Sequence, residues 1–469
     1  MNTTAQNLIG FLNLAELGIG SAIAFTLYKP LHEKNTQVIN EIVSVQGWLY
    51  RRVAYIVIAG ACILMFFFPL IFAKAQVPLW YTYGSFIVLL VSTLLGYFVN
   101  YRQIVLTADQ KEYKITLNIQ GFKVIKVLLQ ILAISYLSNG YVYWMILELG
   151  MSVITAIVLD KLLKKEYPWL KTISSEGGRL RKKYPEIITK TKQVFYHQVA
   201  TIVLAQTSPL IIYAYASLTL VAVYGNYMLI VTGVSLLMDA LLRGINAGVG
   251  SLVAEGESKR IKDVFWELTS LRMWLASIAC FGIYKFSHSF ITLWVDGEFV
   301  LEHHAFVVLL LIAFINMTRT NDTFLAAYGL FQDVWAPLTE AGLNLVLSIL
   351  LGYFYGLIGI LFGVLISMLL IVCGWKPFFL YKCGFHEGVG EYVVGYLKYV
   401  ILIIISFVCI SALTDHLFVL PIYSYATWGW LVFRVLSFYT LSSFLLFAIV
   451  DKSFRRWIIR IMMLFGYNK

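Results

Sequence analysis

VAYIVIAGACILMFFFPLIFA, residues 53–73, carries no charge along its whole length. An α-helix rises about 1.5 Å per residue, so some 20 apolar residues cross the roughly 30 Å hydrocarbon core of a bilayer. Inside that core each backbone N–H and C=O must find a partner within the segment, which makes such a run a helix. The pattern recurs from end to end. About thirteen apolar stretches fall at 7–28, 53–73, 80–101, 115–138, 142–163, 193–215, 218–249, 266–287, 304–330, 334–355, 357–381, 393–414 and 425–450, each closed by a polar turn or a Lys/Arg cluster. The chain therefore reads as an all-α, polytopic integral membrane protein, with two pseudo-repeated helical bundles and additional C-terminal helices.

Of 469 residues, 60% are hydrophobic and 13% charged, about half the charged share of a soluble protein. The longest polar stretch, 164–192, is too short to bury a core of its own. The formal charge of +11 does not indicate a nucleic-acid partner, because the basic residues sit in short loops between apolar segments. They report sidedness instead. One set of alternate loops holds about 27 Lys and Arg, and the opposite set holds Lys74 and Lys285 beside Asp296, Glu298 and Glu302. The positive-inside rule makes the first set cytoplasmic, together with the C-terminus. The five cysteines, Cys62, Cys280, Cys373, Cys383 and Cys409, have neither metal nor disulfide spacing and read as small core hydrophobes.

An odd number of spans with a cytoplasmic C-terminus places Met1 outside. The opening residues lack the basic flank of a signal peptide, so either an upstream helix is missing from this sequence or the N-terminus is truly external. The basic run 164–192 divides the ladder, giving an N-terminal lobe at 1–163, a linker at 164–192, a C-terminal lobe at 193–382, two further spans within 383–450 and an amphipathic tail at 451–469. GIGSAIAFTL (18–27) and GINAGVGSLV (244–253) share a Gly-Ile start followed by small residues, and each precedes a polar stretch. A parallel repeat would produce this; so would small residues recurring wherever membrane helices pack closely. Tight hairpins are expected at 138–140 and 355–356. The tail, DKSFRRWIIRIMMLF (451–465), places bases beside apolar residues and is expected to lie along the inner surface.

Catalytic chemistry is not evident: there is no Walker A loop, no paired acids or His cluster in an outer loop, and no metal or cofactor motif. His303 and His304 are sequence neighbours that do not share a helix face. Intramembrane charge is more informative, because a charge in hydrocarbon is costly and faces a cavity or a partner. In ITLNIQGFKVIKVLLQILAI, Lys123 and Lys126 lie one turn apart near mid-membrane, and Gln130 continues the face of Lys126. In NMTRTNDT, Arg319 and Asp322 at i, i+3 form either a structural ion pair or a site at which an anion competes for the Arg. Asp239 and Arg243 stand at i, i+4, Arg272 and Lys398 lie near inner ends, and Arg434 has no assigned role. Lys123, Lys126, Arg319 and Arg243 are the candidate cavity cations for an anionic substrate, with Asp322 and Asp239 as coupling or charge partners. Deep acids, which a drug-cation site would want, are few: Glu148, Asp160, Asp239, Asp322 and Glu340.

FLNLAELGIGSAIAFTLYKPLHEKN (11–35) resembles the second helix of Wzx-type polysaccharide flippases, of the multidrug/oligosaccharidyl-lipid/polysaccharide exporter superfamily. AAYGLFQDVWAPLTEAGLNLVLSILLGYFYGLIGILFGVLIS (326–367) resembles their hairpin region after the tenth helix. The resemblance implies a fourteen-helix protein of two six-helix lobes plus two C-terminal helices, lacking here its first helix. It further implies a non-enzymatic transporter in the bacterial inner membrane. Its substrate would be undecaprenyl-pyrophosphate-linked oligosaccharide, flipped to the outer leaflet for O-antigen or capsule assembly, with membrane lipid and polysaccharide-assembly proteins as partners. Alternatives are a cation-coupled drug exporter or peptidoglycan-precursor flippase of the same superfamily, and a membrane polysaccharide polymerase or ligase.

Overall fold

The uncharged run that starts at Val53 continues, as far as Phe66, a helix that begins at Thr36, where the Asn35 side chain caps the first turn by accepting the Val38 N–H at 3.1 Å. A computed structural model of the chain describes residues 9–10, 12, 16, 18–71, 78–215, 218–242, 244–418 and 424–464. They are almost entirely helical, and no strand occurs among the described residues. Among the described residues ten helices are long and apolar enough to cross a membrane. The protein is a multi-pass membrane protein.

The backbone divides into two compact units, Met1–Gln198 with Gly244–Glu255, and Val199–Arg243 with Gly256–Lys469. In the first unit α1 (Ile19–His32), α2 (Thr36–Phe66), α3 (Leu79–Phe98), α4 (Glu112–Tyr136) and α5 (Gly140–Glu166) follow in order. Their core includes Ile23, Leu27, Val57, Phe68 and Phe86, all fully buried. α4 and α5 form a hairpin at the turn read from the sequence. A Cβ on Gly140 would meet the backbone of Ala133 and Ile134, so only glycine fits that turn.

The basic stretch after α5 is a strap docked on α2. Asn40 of α2 donates to the Trp169 carbonyl at 3.2 Å and accepts the Lys171 N–H at 2.8 Å, while the Ile173 N–H donates to Ser44 at 3.0 Å. Lys183 and Tyr184 both donate to Glu41, and the Arg52 and Arg181 guanidinium groups lie over the Trp48 ring. A hydropathy scan sees only a polar run here, since each of these contacts joins residues far apart in sequence. Beyond the strap α6 (Pro185–Tyr215) passes from the first unit into the second at Gln198.

The apolar run 218–249 is not one span. It forms α7 (Leu218–Leu242) in the second unit and α8 (Ile245–Glu255) in the first, parted at a glycine turn. α8 packs on α1, so the two Gly-Ile motifs meet each other; a Cβ on Gly250 would fall on the Tyr28 ring. Close approach thus accounts for Gly250, while Gly18 is hemmed in by the α6 backbone at Thr191 and Phe195 and a Cβ on Gly244 would meet nothing.

The second unit continues with α9 (Ser258–Trp294), α10 (His303–Met317), α11 (Thr320–Ala327), α12 (Trp335–Met368), α13 (Gly390–Leu417), α14 (Tyr425–Val450) and α15 (Lys452–Leu464). α9 outruns the expected 266–287 at both ends, which shortens the outer loop before His303. α12 folds back at Gly356 (φ 58°) into two legs, where Ser348 Oγ donates to the Ile360 carbonyl at 3.0 Å. Two π-helical stretches, Leu369–Trp375 and Tyr381–Phe385, follow the second leg. Of the cysteines, Cys280 is buried in the core, but Cys62 and Cys409 are exposed. An exposed thiol on a lipid-facing helix is as apolar as a buried one, so composition does not separate the two.

Candidate functional site

In the first unit the intramembrane cations of α4 have different fates. Lys126 Nζ lies 2.6 Å from Glu148 Oε1 on α5, and Gln130 Nε2 donates to Glu148 Oε2 at 2.9 Å and to the Trp144 carbonyl at 3.3 Å. The carboxylate is buried, so the lysine charge is matched where an unpaired ion would be most costly. Lys123, one turn earlier, is exposed and forms no ion pair among the described residues.

Both lysines line a cavity of about 270 Å³ between α3, α4 and α5, together with Asn100, Gln103, Ser152 and Thr155. Ser152 and Thr155 return their hydroxyl protons to their own helix, donating to the Glu148 and Met151 carbonyls at 2.7 Å. Asn100 Oδ1 and Gln103 Oε1 are buried without a hydrogen bond. The cavity therefore offers one ammonium without a counter-ion beside unsatisfied amide acceptors, a set suited to an anion that carries hydroxyl groups.

In the second unit the segment expected at 304–330 is broken at Thr318 and Arg319, between α10 and α11. Thr318 closes α10, its N–H and Oγ1 both donating to the Phe314 carbonyl, at 3.1 and 3.0 Å. Non-helical backbone at membrane depth is tolerated where protein surrounds it. Arg319 Nη1 lies 3.7 Å from Asp322 Oδ2, and Nη2 lies 3.8 Å from Glu340 Oε1, distances longer than hydrogen bonds; Arg319 Nε is buried without a partner. Asp322 is held more tightly by Lys376, at 2.8 Å. Arg272 donates to Thr323 at 3.3 Å and lies in the field of Asp322 and Asp239. The cavity beside Arg319, lined also by Thr318, Asn321, Val372 and Tyr392, is about 10 Å³, space for at most one water.

The structure thus brings Arg319 to Asp322 and Lys126 to Glu148 while leaving Lys123 apart. Asp239 is exposed on α7, and Arg243 lies outside the described residues. Lys376 was missed because it stands at the end of an apolar run, where it reads as a loop cation. The π-helical turn before it changes the register that brings it to Asp322. Lys398 pairs with Asp451 at 2.8 Å, and the Arg434 guanidinium lies 5.0 Å from the centre of the Phe418 ring.

No family profile matches the sequence, and no curated protein does. Solved structures do match. A mutant of the Vibrio cholerae MATE transporter VcmN superposes with a TM-score of 0.64 at 13% identity, over 83% of this chain and 88% of that one. VcmN in its bent form gives 0.60 at 12% identity, over 82% and 87%. An outward-facing multidrug resistance MATE family transporter of the MOP superfamily gives 0.58 at 14%, over 79% and 84%. At these identities the likeness is one of fold, and the structural neighbours of this chain are MATE family transporters of the MOP superfamily.

Proposed function

We propose that this protein is a membrane transporter that carries an anionic, lipid-linked oligosaccharide across the bacterial inner membrane by alternating access, for cell-surface polysaccharide assembly. The observation that carries this reading is Lys123, an ammonium half-way along α4 with no counter-ion among the described residues, in a cavity of mixed polar and apolar lining. A cation at the bilayer centre costs on the order of 2.5–3.5 kcal/mol on insertion scales, and a pyrophosphate would offset that cost. The likeness in fold to transporters supports carriage as the activity. The basic side of the chain, with the C-terminus, is the cytoplasmic one in this reading.

The drug-exporter alternative requires acids ready for a cation. Among the described residues Glu148, Asp160, Asp322 and Glu340 each face a Lys or Arg instead, while Asp239 is exposed on α7 without a salt bridge among them. The test is flipping of undecaprenyl-pyrophosphate-linked saccharide by the protein in liposomes. Lys123→Gln is expected to lower the rate at least about tenfold at equal protein level, and an unchanged rate overturns the reading.

A further inference from the structure

α15 begins two residues after α14 leaves its membrane-crossing run, so it sits at a membrane–water boundary. One face is docked on the second unit. Phe454 is fully buried against the rings of Trp274, Phe444 and Phe447, with centroids 5.4–5.5 Å away. The opposite face is exposed and of two kinds: Lys452, Arg455, Arg456 and Arg460 on one side of its chemistry, Ile459, Met462 and Met463 on the other. It continues the apolar surface of α14, where Ile449 is 72% exposed.

Between this face and the first turns of α9 runs a groove of about 460 Å³, lined by Lys259, Arg260, Asp263, Arg456, Ile459 and Met463 among others. Two of its three acids are already engaged: Arg456 donates to Asp263, and Arg460 donates to Glu267 at 3.2 Å. Lys259 and Lys452 form no ion pair among the described residues, and Arg455 donates to the Ile449 carbonyl at 3.3 Å. The groove's lining holds four cations, Lys259, Arg260, Arg456 and Arg460, and three acids, Glu257, Asp263 and Glu267; Lys452 and Arg455 add two exposed cations on α15 outside that lining.

We propose that this groove binds an anionic phospholipid of the adjoining leaflet, its phosphate among the cations and its acyl chains against Ile459 and Met463. A zwitterionic lipid would cover the apolar residues equally well, but the excess of positive charge selects the anionic headgroup. This site is independent of the transported substrate.

Full-length protein in phosphatidylcholine nanodiscs is given a rising share of phosphatidylglycerol, and its thermal unfolding midpoint is followed. The midpoint is expected to rise with phosphatidylglycerol, as it does for any ligand of the folded state, and the rise should fade at high salt. In the variant Lys259→Gln/Lys452→Gln/Arg455→Gln no acid loses a partner, so the midpoint in pure phosphatidylcholine should stay at the parent value. The phosphatidylglycerol needed for the same rise should increase roughly fivefold per charge removed. An equal response of variant and parent, or no response of the parent, overturns the proposal. So do disulfide-linked dimers of Met463→Cys, made without the native cysteines, at any lipid composition, because a second copy would then cover the face.

Discussion

Lys126 on α4 and Glu148 on α5 meet at 2.6 Å across a membrane hairpin, and Gln130 supplies the carboxylate's second hydrogen bond at 2.9 Å. The pair consumes a charge that the sequence alone offers to substrate. Lys126→Met leaves Glu148 buried without its cation and should cost about 3–5 kcal/mol. Lys126→Met/Glu148→Met removes both charges and should recover most of that loss, measured by unfolding in detergent. A double variant as unstable as the single one would show that the pairing is not what Lys126 contributes.

The approach of α8 to α1 makes a second expectation. Gly250 faces the Tyr28 ring so closely that any side chain must displace it. Gly250→Leu should destabilise the first unit by about 1–3 kcal/mol through overpacking, and Tyr28→Ala in the same chain should relieve part of this. Failure of Tyr28→Ala to help would place the strain elsewhere.

Asp451 gives a pH dependence. Burial pushes its carboxyl upward, but hydrogen bonds from Lys398, Ser270 and the Phe454 N–H outweigh burial and hold it below its ordinary value of 3.8. A folded-state value below the unfolded one contributes stability that is fully present above the unfolded value and is lost as pH falls through the folded one. Asp451→Asn should therefore unfold at lower temperature than the parent at pH 7, with the gap closing as the pH is brought below about 4. A gap that persists in acid would show that packing, not charge, is what Asp451 supplies.

The strap provides a test of orientation. Ser175 is exposed within it, beside buried Ser174, which hydrogen-bonds with Tyr101 at 3.1 Å. A cysteine at Ser175, with the native cysteines replaced, should resist a membrane-impermeant thiol reagent in intact cells and react after the membrane is opened. Ready labelling of intact cells would invert the topology.

Helix existence was legible in the sequence because hydrocarbon admits little else: an uncharged run of some 20 residues has no other way to satisfy its backbone. The hairpins at Gly140 and Gly356 were legible for a similarly local reason, a turn too tight for a Cβ or a φ of 58°. Hydropathy could not show the break at Arg319 or the division of 218–249, because an interrupted helix and a continuous one have the same composition. Nor could it tell Lys123 from Lys126. The two lie on one helix face three residues apart, and only the packing of α5 against α4 decides that one meets Glu148 while the other stays without a counter-ion. Charge partners, the docking of the strap and the meeting of the two Gly-Ile motifs join residues distant along the chain. Local sequence set the kind of element at each place, and tertiary contact decided which charges were left over to act.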